Sequence, residues 1–152
     1  MANTQAMCTS FKQDILNGYT ALGTTVVRAS TTADTLKAAL YLTSATINAA
    51  TTAYTSSGEV SGTGYTAGGV TVTNATAPTT SGTTAYWTPS ASITYTTVTL
   101  TTAFDTVLLY NSTQSGNHSI SVHTFGSQTV TAGTFSLTMP SNAASTALIN
   151  IA

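Results

Sequence analysis

Charge is what this chain has least of. Lys12, Arg28 and Lys37 are its only basic residues, and Asp14, Asp34, Glu59 and Asp105 its only acidic ones. Together they make 5% of the 152 residues, against roughly 25% in an ordinary soluble domain. Three scattered cations cannot form a patch for a phosphate backbone, whose affinity grows with each Lys or Arg contact, so nucleic acid is excluded as a partner. Disorder driven by charge is excluded too. With 41% hydrophobic residues and a net charge of -1, the chain can bury enough surface to offset its ordering entropy.

Other absences narrow the field further. Cys8 is the sole cysteine, so no disulfide can form within the chain. The first seven residues, Met1-Ala2-Asn3-Thr4-Gln5-Ala6-Met7, have neither the basic nor the apolar region of a secretory signal, which leads us to expect synthesis in a reducing cytoplasm. The longest apolar run, Ala38-Ala39-Leu40-Tyr41-Leu42, is far short of the ~18 residues that cross a bilayer, so no membrane partner is expected. Three prolines and eleven glycines are too few for a collagen-like fibre, and no strict internal repeat suggests a solenoid.

Threonine is what the chain has instead, filling about a quarter of it. A net charge near zero removes the repulsion that keeps proteins apart, and this suits a subunit packed against neighbours. Threonine, valine and isoleucine are stiff at the first side-chain torsion and favour strands. Period-two alternation then recurs. Leu36, Ala38, Leu40 and Leu42 share one face, with a helix over residues 33–42 as the competing reading. Val70 and Val72 alternate with Thr71 and Thr73. Ile93 and Tyr95 fall in the opposite phase to Val98 and Leu100, so a bulge is expected at Thr96-Thr97. Residues 104–110, apolar on both faces, read as a central strand. Ile120 and Val122 mark a further strand, Phe135, Leu137 and Met139 another that Pro140 stops, and Ala147, Ile149 and Ile151 a last one.

Turn clusters are expected at residues 56–69, 77–84, 111–117 and 132–133. Seven or eight short strands with such turns predict a mainly β fold, a jelly roll or β-sandwich, over residues 31–152. Residues 1–30 read as an N-terminal arm able to reach a neighbour. Its short helix would open with the capping box Ser10-Phe11-Lys12-Gln13, carry Phe11, Ile15 and Leu16 on one face, and close at Gly18.

Chemistry is hard to assemble from what remains. His118 and His123 are the only histidines; five apart on a strand they face opposite ways and cannot share a metal. A catalytic triad would need Asp105 or Asp34 beside one of them, and a cleft joining a histidine to Asp105 or Glu59 would be its sign. Gly62, Gly64, Gly68 and Gly69 lack the lysine and the helix of a phosphate loop, so a surface loop with positive backbone torsions is expected. Asn74, Asn111 and Asn117 begin Asn-x-Ser/Thr sequons that, without a secretory route, are turn chemistry. Glu59 reads as a hydrogen-bonded or interface carboxylate. Trp87, beside Tyr86 and before Pro89, could stack on a glycan, although one tryptophan in a β domain is more simply buried between sheets. We therefore expect no enzyme, no cofactor and no metal. The candidate interface side chains are Phe11, Ile15, Leu16, Tyr65, Tyr86 and Trp87.

Several stretches go together: Gly-Glu-Val-Ser-Gly-Thr-Gly-Tyr-Thr-Ala-Gly-Gly at 58–69, Leu-Leu-Tyr-Asn-Ser-Thr-Gln at 108–114, His-Thr-Phe-Gly at 123–126 and Ala-Gly-Thr-Phe at 132–135. With the strand 36–41 ending in Ala-Leu-Tyr and the Thr-Thr-Ala-Tyr-Thr segment 51–55, they resemble a widespread group of small virion proteins of tailed bacteriophages. The resemblance covers roughly residues 33–140. It implies a structural role, most simply a capsid decoration (cement) protein contacting the major capsid protein and copies of itself. A tail, neck or fibre-attachment component and a host-glycan-binding module are the alternatives. It also implies strand ends at Tyr110-Asn111 and Phe125-Gly126, and carries no catalytic residue with it. The location expected is the virion, after synthesis in the bacterial cytoplasm.

Overall fold

A computed structural model describes residues 3–8, 10–11, 15, 19–20, 22 and 33–151. They form a mainly β structure of two antiparallel sheets, as in a β-sandwich. The strands are β1 (Ala6–Met7), β2 (Leu36–Leu42), β3 (Val70–Thr71), β4 (Thr79–Ser81), β5 (Thr84–Trp87), β6 (Ile93–Asn111), β7 (Ser119–Leu137) and β8 (Ile149–Ile151). The larger sheet has the order β1-β7-β6-β2-β3 and the smaller β4-β5-β8.

Residues 36–42 settle as a strand rather than a helix, because β2 lies between β6 and β3 and is buried on both faces. Leu36, Ala38 and Leu40 are wholly enclosed on one side, Ala39 and Tyr41 on the other. A short segment rich in Ala and Leu has only a weak helical preference, and burial in the middle of a sheet overrides it. Its register on β6 runs from Leu36 opposite Asn111 to Leu42 opposite Phe104, with an irregularity between Tyr41 and Leu42. Residues 104–110 are the central strand that their two-faced apolarity predicts, with Phe104, Val107, Leu108, Leu109 and Tyr110 all buried.

The expected spacing of short strands gives way here to one long hairpin. β6 and β7 are each 19 residues and pair from Tyr110 opposite Ser119 to Ile93 opposite Leu137. The phase slip at Thr96-Thr97 is a bulge, with Thr97 at φ 54 and the register shifting between Tyr95 and Val98. Ala132-Gly133, read as a turn, is a second irregularity inside β7, with Ala132 at φ 47. Phe125-Gly126 does not end a strand either. β7 runs through it, because Phe125 packs edge-on against Phe104 at 6.0 Å and beside Phe135 at 5.3 Å, so the core continues past that point. The stretch 77–84 contains β4 and the start of β5, turning at Gly82.

One contiguous core joins the sheets, including Trp87 and Ile149 of the smaller and Tyr95, Leu100, Phe104, Ile120 and Val122 of the larger. The N-terminal segment belongs to the same body where it is described. β1 pairs with β7 at Ser121 and Val122, and Thr4 N donates to Ile47 O at 3.2 Å. Asn3 donates to Leu42 O at 3.1 Å and to Asp105 Oδ1 at 2.9 Å, while Ile47 N donates to Asn3 Oδ1 at 2.9 Å. Cys8 and Phe11 are fully buried. Residues 3–8 therefore dock on their own chain rather than reach away, because β1 pairs with β7 at Ser121 and Val122. The capping box and Leu16 of the expected helix lie outside the described residues, apart from Ser10, Phe11 and Ile15.

Candidate functional site

The glycine-rich segment folds over the outside of β2 and β6 and converges on one carboxylate. Glu59 is placed by an isolated antiparallel bridge to Tyr41, with Val60 N donating to Leu40 O at 3.0 Å. Its Oε2 accepts the Tyr54 hydroxyl at 2.7 Å. Its Oε1 accepts both the Tyr65 hydroxyl at 2.7 Å and the Gly68 amide at 2.8 Å. Hydrogen bonds to an ionised acceptor are the strong kind, and three of them at these lengths fix the loop.

A ring of tyrosines surrounds that carboxylate. The Tyr65 oxygen also accepts Leu40 N at 3.0 Å, Tyr41 donates to Thr55 O at 2.6 Å, Tyr95 to Ala38 O at 2.8 Å and Tyr110 to Gly68 O at 2.8 Å. Their rings stack in pairs, Tyr54 on Tyr110 at 4.9 Å and Tyr65 on Tyr95 at 5.9 Å. Burial pushes the hydroxyls of Tyr41, Tyr54, Tyr65, Tyr95 and Tyr110 well above the usual tyrosine range, and the nearby Glu59 charge adds to the effect. All five thus stay protonated and able to donate.

Backbone approach explains the glycines. At Gly69, with φ +71, a Cβ would overlap the Ala38 carbonyl oxygen; at Gly64, with φ +78, it would overlap that of Thr97. The loop lies directly on the main chain of β2 and β6, where only glycine fits. Tyr110-Asn111 ends β6 for a related reason. Buried Asn111 donates to Asp34 Oδ2 at 2.8 Å, and its Oδ1 accepts the amides of Thr113 at 3.0 Å and Gln114 at 3.3 Å, which turns the chain. The motif residues of the 51–69 and 110–114 stretches are therefore a brace and a turn.

Chain-to-family comparison adds nothing to that geometry: the chain matches no family model, no curated protein and no solved structure.

His123 contacts a serine. His123 Nε2 lies 2.8 Å from Ser121 Oγ on β7, beside a cavity of about 220 Å³ bounded by Met7, Val122, Leu148 and Ile149. It also borders an apolar cavity of about 120 Å³ on β6 and β7, lined by Ile93, Leu109, Phe125 and Leu137. Burial lowers its pKa to about 4, so the ring is neutral and a poor proton acceptor at ordinary pH. Asp105 is held by Asn3 and by Thr106 Oγ1 at 2.7 Å, and Glu59 by the tyrosines. His118 lies just before β7, its backbone bridged to Ala53 and its ring stacked on Tyr19 at 6.1 Å. Among the described residues, no three His, Cys, Asp or Glu side chains converge as a metal site would need.

The candidate interface residues are scattered rather than gathered. Phe11 is 0% and Trp87 1% exposed, so neither presents a face to a partner. Trp87 lies in the core and donates Nε1–H to Thr76 O at 2.8 Å, which occupies both the ring and its polar edge and withdraws it from glycan stacking. Tyr65 is half-buried in the brace. Tyr86 is half-buried beside a small apolar pocket with Pro78, Ala85 and Ile151. Ile15 is 38% exposed, and Leu16 lies outside the described residues.

Proposed function

We propose that the chain is a structural protein of a tailed-bacteriophage virion, acting as a capsid decoration protein that binds the major capsid protein and copies of itself. One observation carries this reading. Two of the segments by which the sequence resembles small phage virion proteins, 51–55 and 58–69, meet in a single brace, Glu59 with Tyr54, Tyr65 and Gly68, which holds a loop onto the sheet. A motif spent on rigidity suits a subunit whose task is to keep its shape within a lattice. The uncharged, threonine-rich composition supports the same role, since such a surface attaches through hydrogen bonds and apolar contacts. No catalysis enters this reading.

The test is the amount of this chain in purified virions relative to the major capsid protein. Copies comparable in number to the capsid protein are expected. A handful per particle would move the chain to the tail, neck or fibre, and absence from the particle would sink the virion assignment.

A further inference from the structure

Ser121 and His123, two apart on β7, point to the same side of the strand, and Ser121 Oγ lies 2.8 Å from His123 Nε2. β1 docks on this stretch. Ala6 lies opposite Val122 and Met7 opposite Ser121, and the same register continued by one residue sets Gln5 opposite His123. Gln5, Met7, Ser121 and His123 all border the cavity of about 220 Å³. The ring also borders the apolar cavity of about 120 Å³ on β6 and β7. His123 thus stands where the N-terminal strand meets the larger sheet.

Its surroundings suit the neutral ring. The described residues that border the two cavities come from β1, β6, both ends of β7 and positions 138–139 and 148–150, and His123 alone among them is titratable. Asp105 is two residues from Val107, which lies opposite His123, and its Oδ1 accepts Asn3 Nδ2 at 2.9 Å and Thr106 Oγ1 at 2.7 Å. An imidazolium within these apolar walls needs water to be stable. Desolvation accordingly lowers the His123 pKa to about 4.

The walls differ in strength. β6 and β7 pair from Tyr110 opposite Ser119 to Ile93 opposite Leu137, and β8 is anchored by Ile149 opposite the buried Trp87. β1 is two residues long, and its hold is extended by Thr4 N to Ile47 O, Cys8 N to Ile120 O and the bonds of Asn3. A short element of this kind opens at lower cost than the sheet on which it docks.

We propose that protonation of His123 releases β1 from β7, so that acid frees the N-terminal segment while the two sheets stay closed. Gln5 and Met7 lift away, and water reaches the ring. Linkage sets the direction. A released ring takes up its proton near the ordinary 6.5 and the docked ring only near 4, so release gains as pH falls through that window.

Cys8 supplies the readout, as the sole cysteine, fully buried directly after β1. The purified full chain is labelled with 4,4′-dithiodipyridine, a thiol reagent that works in acid, from pH 7 to pH 4.5. Rates are divided by those of the urea-unfolded chain at the same pH, and Trp87 fluorescence follows the closed core. We expect the normalised rate to rise about tenfold or more with Trp87 fluorescence unchanged. His123→Gln should stay flat, and Asp105→Asn, which keeps the histidine and alters the Asn3 anchor, should retain the rise. A rise that persists in His123→Gln, or disappears in Asp105→Asn, overturns the proposal. So does a Cys8 rate that stays constant or rises only together with a change at Trp87. Should His123→Gln fail to fold, hydrogen exchange of the wild type decides: protection must fall over residues 4–8 and persist over 85–87 and 107–110, and equal loss in all three overturns it.

Discussion

At Gly69 a single hydrogen atom stands where any other residue would bring a carbon into the Ala38 carbonyl. Gly69→Ala combines that overlap with a positive φ, and we expect it to destabilise the chain by about 3 kcal/mol or more, read as a lowered urea midpoint. Glu59 is the complementary case, since it is defined by what it accepts. Glu59→Ala removes the acceptor for two tyrosine hydroxyls and the Gly68 amide, and a loss of about 2–4 kcal/mol is expected. Glu59→Gln should fall between, because an amide offers one acceptor oxygen where the carboxylate has two. Equal stability of Glu59→Ala and wild type would show that the brace contributes nothing. Little of this was legible beforehand. A lone glutamate in a loop reads as a hydrogen-bonded or interface carboxylate, but its partners at 54, 65 and 68 are recognisable only once β2 and β6 place them around it.

Among the elements, β7 carries the half-buried His123. Desolvation of its ring lowers its pKa from 6.5 to about 4. Below 6.5 the unfolded chain takes up a proton that the folded chain refuses, so stability is full above that pH and falls progressively toward pH 4. Up to about 3 kcal/mol should be lost across this window. Denaturation midpoints measured from pH 7 to pH 4 should slope for the wild type and flatten for His123→Gln; parallel curves would refute the assignment. Element boundaries show where pattern reading succeeds and stops. The slip at Thr96-Thr97 and the two-faced apolar run 104–110 were visible because side-chain period reports burial directly. The unity of β7 was not, since residues 126–129 are exposed and offer no alternation to follow. β4 and β5 hid in a stretch of threonine and glycine that reads as a turn.

For the molecule as a whole, scarcity of charge sets the response to solvent. Seven formal charges cannot supply a field that salt would screen appreciably, so both melting temperature and attachment to particles should be nearly independent of ionic strength. Release from particles by moderate salt alone would contradict this. The fold class followed from composition and period together: threonine and β-branched residues argued for strands, and the even distribution of turns for two sheets. The arm did not follow, because pairing of Ala6 and Met7 with Val122 and Ser121 depends on contacts no local pattern encodes.

That pairing also sets a timetable. The partner of Ala6, Val122, is synthesised more than a hundred residues after it. β2 must likewise wait for residues 104–111. The nascent chain thus carries β1 and β2 without these partners until β6 and β7 follow, and the larger sheet can close only when synthesis of β7 is under way.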